Sequence, residues 1–147
     1  MASLLTSNDI SGFTGVLEDH FDTFSKNITI HKEPIKEISS VSATNYVGYN
    51  DTSNTSNFTL IPVSGIYPAI VNYFNDQESE AIPELGGISV GKGVVRIKVK
   101  DDAKDFIKKG KTERIDIDED SFNTITDEKV QNYLGSKYYV YYLERTE

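Results

Sequence analysis

Val94-Val95-Arg96-Ile97-Lys98-Val99-Lys100 alternates apolar and cationic side chains without a break. Successive side chains of an extended chain point to opposite faces. Val95, Ile97 and Val99 therefore share one face, and Arg96, Lys98 and Lys100 share the other. The first face is buried if the strand forms, which lines up three cations on the second.

The same period of two recurs elsewhere. Ile28 and Ile30 alternate with Thr29 and His31 in the run from Asn27. Pro34 cannot donate to a ladder and is expected to interrupt that strand, leaving residues 35–47 as a second strand or an irregular arm. Phe58–Val63 and Ile66–Phe74 are apolar β-type runs, with Ser64-Gly65 read as a turn between them. Arg114–Ile117 and Tyr138–Leu143 complete the series. These runs predict a mainly β chain, a small β-barrel or sandwich forming one domain over 1–147 with its β-core at 27–143.

Two helical segments fit beside this core. Residues 8–25 carry Ile10, Phe13, Val16, Leu17, Phe21 and Phe24 at helical spacing, with His20 beside the stripe. Asn8 or Asp9 can cap the start, and Gly12 and Gly15 allow a break. A short helix near 102–109 holds Phe106 and Ile107. Asp102 and Asp105 can cap it, and Gly110 closes it. Val130 and Leu134, four apart, allow a further short helix within 121–134. Two polar stretches, 44–57 and 75–93, read as long loops, more than one small domain needs as connections.

The 147 residues include 15 Lys+Arg and 23 Asp+Glu, a net charge of −8. That balance opposes non-specific binding of nucleic acid by the whole surface. Nine of the 15 basic residues and four acidic ones lie in 92–114, so that window is +5 and the remainder −13. No basic residue falls between Lys36 and Lys92. The absence of cysteine excludes disulfides, thiolate metal sites and thiol nucleophiles. The first residues resemble no signal peptide, and no apolar run approaches the roughly 20 residues of a membrane-spanning helix. The sequons at Asn27, Asn50, Asn54 and Asn57 are read as by-products of an Asn/Ser/Thr-rich composition.

Two motifs carry little. Gly86 to Gly93 fits the G-x-x-x-x-G-K spacing of a phosphate loop. Gly93 stands where a Ser or Thr should hold magnesium, and a strand follows where a helix should. Asp116 to Asp127 echoes a calcium loop, with Ser121 at the place that needs glycine. The residues thus point to no catalytic group, no cofactor and no metal site. The candidates for interaction are Arg96, Lys98 and Lys100 on the basic strand, and Tyr46 and Tyr49 in the first loop.

The order of elements resembles the head-closure, or stopper, proteins of tailed bacteriophages. The likeness lies in an N-terminal helix ending at Phe21-Asp22-Thr23-Phe24, the strand Asn27-Ile28-Thr29-Ile30-His31-Lys32, and a long polar loop. It continues in Val95–Val99, Ile107–Gly110, Glu113–Ile117 and the tyrosine-rich Tyr138–Tyr142. The insert at 75–93 and residues 118–135 depart from it. The resemblance implies a small barrel, a homo-oligomeric ring in the virion neck assembled in the host cytoplasm, and no catalytic residue or cofactor. Its implied partners are the adaptor or portal-side connector and the tail or tail-terminator protein. Contact with packaged DNA is also implied, and membrane contact is not. The alternatives are a tail-terminator or tail-completion ring protein, and a ligand-binding β-module of a tail fibre or baseplate.

Overall fold

The structure, a computed structural model, describes residues 4–38, 58–74 and 93–146. Helix α1 (Ser7–Phe24) leads into β1 (Lys26–Ile38) and β2 (Phe58–Tyr73). Then come β3 (Val94–Val99), α2 (Asp101–Lys108), β4 (Thr112–Ile117), β5 (Asp120–Thr124), β6 (Lys129–Tyr133) and β7 (Ser136–Arg145). The strands pair antiparallel in the order β3-β2-β1-β4-β5-β7, and β3 pairs with β7 to close the ring. The fold is mainly β: a six-stranded closed barrel, an N-terminal helix, and β6 as one extra strand.

The alternation read from the sequence decides what lies inside. Ile28 and Ile30 of β1, Val95, Ile97 and Val99 of β3, and Ile115 and Ile117 of β4 are buried in one cluster. Phe122 of β5 and Tyr139, Tyr141 and Leu143 of β7 fill the rest. Each such side chain contributes about 1.5–3 kcal/mol by leaving water. Helix α2 covers the β2 side of this cluster, where Phe106 meets Tyr67 with ring centroids 5.2 Å apart. Lys32 is buried beside it. Its ammonium donates to the carbonyls of Ile107 at 2.5 Å and Gly110 at 3.3 Å and to the hydroxyl of Thr112 at 2.7 Å. That side chain ties the C-terminal end of α2 to β1.

Strand β7 is buried on both faces. Outside the barrel, Tyr142 packs with Val94, Val140 and Phe74, and Phe21 of α1 stacks on Tyr138 at 5.5 Å. One edge of β7 pairs with β3 along Tyr139–Glu144. The other pairs first with β6 and then with β5. Across the gap between those two strands, the Ile125 amide donates to the Tyr142 carbonyl at 2.9 Å, and the Tyr142 amide donates to the Thr126 hydroxyl at 3.2 Å.

Several expectations need correction. Residues 121–134 form β5 and β6 rather than a helix, because the exposed edge of β7 needs ladder partners. Pro34 does not end β1. The register shift between Lys32 and Ile35 absorbs it, so the missing donor falls in a bulge. Ser64-Gly65 is no turn, since β2 runs through it with Gly65 opposite Ile30. Helix α1 is unbroken at Gly12 and Gly15. Its cap is Thr6, in a reciprocal capping box with Asp9. Helix α2 has Lys100 at its N-cap, without a side-chain cap. The loop at 44–57 and residues 75–92 lie outside the described residues.

The glycines separate two kinds of position. A Cβ on Gly65 would sit 2.7 Å from the Tyr67 ring and 3.3 Å from Phe106, so this residue serves close packing of those rings. A Cβ on Gly12 or Gly15 meets nothing within 4 Å. Gly65→Ala is expected to lower stability by about 1–3 kcal/mol through overpacking. Gly12→Ala and Gly15→Ala should each raise it by about 1 kcal/mol. Denaturant unfolding of the three variants checks both signs.

Candidate interaction surface

The basic row sits where the alternation places it, on the outer face of β3, but it is half-buried rather than free in solvent. Its neighbours across the ladders are Asn72 and Tyr142 beside Arg96, and Ile70 and Val140 beside Lys98. The Lys98 ammonium lies 5.6 Å from the Tyr133 ring centroid and 5.7 Å from that of Tyr138. The Lys100 ammonium lies 4.6 Å from the Phe21 ring and 3.1 Å from the Asp22 carboxylate. Two of the three cations therefore bind α1 and the β6–β7 hairpin to the barrel wall. Arg96 keeps a buried Nε without a hydrogen bond. Among the described residues, neither Arg96 nor Lys98 faces a carboxylate partner. Tyr46 and Tyr49 lie outside the described residues, as does the stretch 86–92 of the phosphate-loop motif.

The acidic turn after β4 is spent on local contacts. Asp116 meets His31 Nε2 at 2.8 Å and Arg114 Nε at 3.3 Å. Asp118 meets Lys26 at 2.5 Å, and this bond holds its carboxyl below the usual range. Asp120 meets Arg145 at 2.5 Å. Each of these three carboxylates is thus engaged with a cation of its own chain. Among the described residues, no group of three or more His, Asp or Glu side chains converges to hold a metal ion.

A recess of about 650 Å³ opens between the end of α2 and the β5–β6 bend. Thr112, Thr124, Thr126, Glu128 and Tyr141 line it. Burial, and then the nearby Glu128 carboxylate, push the Tyr141 hydroxyl upward in pKa. Glu128 pairs with Lys108. The Tyr141 hydroxyl donates to the other Glu128 oxygen at 3.3 Å, so this carboxylate bridges α2 and β7.

Exposed apolar side chains occur at several places, Ile66 of β2 and Val130, Tyr133 and Leu134 of the β6–β7 hairpin among them, and two further groups lie on projecting elements. The first is an arm. From Ile35 to Ile38 and from Phe58 to Ile61, β1 and β2 pair only with each other among the described residues. One face of this ribbon carries Ile35 and Ile61, 61% and 41% exposed, and the other carries Phe58 and Leu60, 42% and 49% exposed. The second is α1. Its inner stripe is Ile10, Thr14, Leu17 and Phe21, and only Phe21 is fully buried. A second stripe of Phe13, Val16, His20 and Phe24 faces outward. Phe13 is 45%, Val16 65% and Phe24 63% exposed. In the sequence both stripes merge into one, because all their residues fall at spacings of three and four. Separating Ile10-Thr14-Leu17-Phe21 from Phe13-Val16-His20-Phe24 would have shown more apolar residues than one packing face uses.

No protein-family model, no curated protein and no solved structure matches the chain.

Lys98 offers a pH test of this geometry. Burial, and then the adjacent Arg96 charge, hold its pKa below the ordinary 10.5. The unfolded chain therefore binds more protons than the folded one between the two values, so stability rises with pH across that window. Stability of the wild type relative to Lys98→Met is expected to climb as pH rises through the alkaline range below about 10.5. A difference that stays flat in parallel denaturant titrations would show that Lys98 is solvated.

Proposed function

We propose that this chain is a structural subunit of the neck of a tailed-phage virion. It forms a homo-oligomeric ring that closes the capsid exit after DNA packaging and receives the tail. The observation that carries the assembly part of this reading is the uncovered apolar surface on α1 and on the β1–β2 arm. A two-stranded ribbon with large apolar side chains on both faces has no core of its own. Exposed apolar side chains clustered in this way are characteristic of protein interfaces. The neck assignment is supported by the order of elements that resembles head-closure proteins, together with the closed barrel behind the N-terminal helix. An open sheet with one long hairpin would favour a tail-terminator ring instead, and closure of β3 on β7 speaks for the head-closure reading. The adaptor or portal-side connector and the tail protein are then the partners on the two faces of the ring.

The test is localisation and loss. Labelled protein should appear at the vertex between head and tail. Particles assembled without it should fill with DNA, lose that DNA and lack tails. Label along the tail or on fibres, or tailed and DNA-filled particles made without the protein, would overturn the proposal.

A further inference from the structure

The outward stripe of α1 and the base of the arm differ in charge. Helix α1 contains Asp9, Glu18, Asp19 and Asp22 and no Lys or Arg. Asp9 closes the capping box and Asp22 pairs with Lys100. Glu18 and Asp19 have no cationic partner among the described residues. Asp19 lies one turn from Val16 and beside His20, on the flank of the outward apolar stripe. That stripe spans 12 residues from Phe13 to Phe24, about 16 Å of helix.

At the base of the arm, a recess of about 390 Å³ opens between the ribbon and the end of α2. Ile35, Val63 and Phe106 give it an apolar floor, and Ile61 continues that face outward along the arm. Lys32, Lys109 and Lys111 line it against the single carboxylate of Glu33. Lys111 and Glu33 pair with each other at 2.6 Å. The net positive charge therefore comes from Lys32, whose ammonium meets only neutral oxygens, and from exposed Lys109. Among the described residues, Lys109 has no carboxylate partner. The recess is firm, because the Lys32 bonds fix the end of α2 beside β1.

We propose that the outward stripe of α1 on one copy seats in the arm-base recess of the next copy, with Asp19 facing Lys109. This inference rests on the ring reading above and names the surfaces that would form the ring contact. Two α1 helices placed against each other would oppose acid to acid, and two recesses would oppose cation to cation. Complementary charge instead selects a head-to-tail contact. A head-to-tail contact whose rotation closes generates a ring.

The chain has no cysteine, so single replacements give clean cross-links. Val16→Cys and Ile35→Cys, at positions 65% and 61% exposed, are made in separate chains and mixed under oxidation. The Val16→Cys chain mixed with Val130→Cys, on β6, serves as control. The mixtures are read in concentrated protein and in assembled particles. A disulfide joining residue 16 of one chain to residue 35 of another, without the residue 130 product, is expected. A dominant product joining residue 16 to residue 16 means a two-fold helix contact and overturns the proposal. A ring that forms without the 16–35 product overturns this contact and leaves the ring reading standing. Absence of any ring in particles overturns the ring reading itself. Charge reversal provides the second arm. Asp19→Lys and Lys109→Glu should each lower incorporation about tenfold, and the double variant should recover it. Both residues are on the surface, so melting temperatures should not move. Failure of the double variant to recover contradicts the pairing.

Discussion

Everything else in this structure depends on β7 being held on all sides. Its inner face supplies Tyr139, Tyr141 and Leu143 to the barrel interior, and its outer face supplies Tyr138, Val140 and Tyr142 to a second apolar layer. One edge closes the barrel against β3, and the other takes β5 and β6 in turn. Closure removes the terminal edges of the six-stranded barrel, while the extra strand β6, paired only with β7 among the described residues, keeps one open edge. Closure leaves the barrel wall with nothing to gain from a partner through its ladders. Two surfaces open to association lie on elements that project from it, the outer stripe of α1 and the arm.

The outer layer explains the cationic row. A strand buried inside and only half-covered outside can carry long side chains whose stems lie on aromatic rings while their charged ends reach the rim. Lys98 over Tyr133 and Tyr138, and Lys100 over Phe21 beside Asp22, do this. Their charge helps to dock α1 and the β6–β7 hairpin. The outward stripe of α1 and the arm base, by contrast, keep exposed apolar and charged groups without partners among the described residues.

Much of the barrel was legible in the sequence. The alternation in Asn27–Lys32, Val94–Lys100 and Arg114–Ile117 marked three of its strands, because a strand buried on one face must show its period, and Tyr138–Leu143, buried on both faces, reads as a continuous apolar run. The passages that misled were governed by partners distant in the chain. Val130 and Leu134 fit a helix locally, yet β7 offered an edge that only strands could satisfy. Ser64-Gly65 had turn composition, but Tyr67 and Phe106 needed the space that a side chain would fill. Pro34 was a sound reason to stop a strand, and the bulge after Lys32 removed the reason. The interaction surface was the least legible part. The basic row stood out by charge, whereas the outward stripe of α1 was hidden inside an apparently ordinary amphipathic helix.

The central claim is that the barrel is complete by itself, while α1 and the arm keep apolar surface for another copy of the chain. Amide hydrogen exchange on dilute and on assembled protein tests this most directly. The account predicts slow exchange in β3 and β7 that does not change on assembly, with new protection confined to α1 and to the arm segments 33–38 and 58–63. New protection concentrated on β6 and the outer face of β3, with α1 and the arm unchanged, would contradict it.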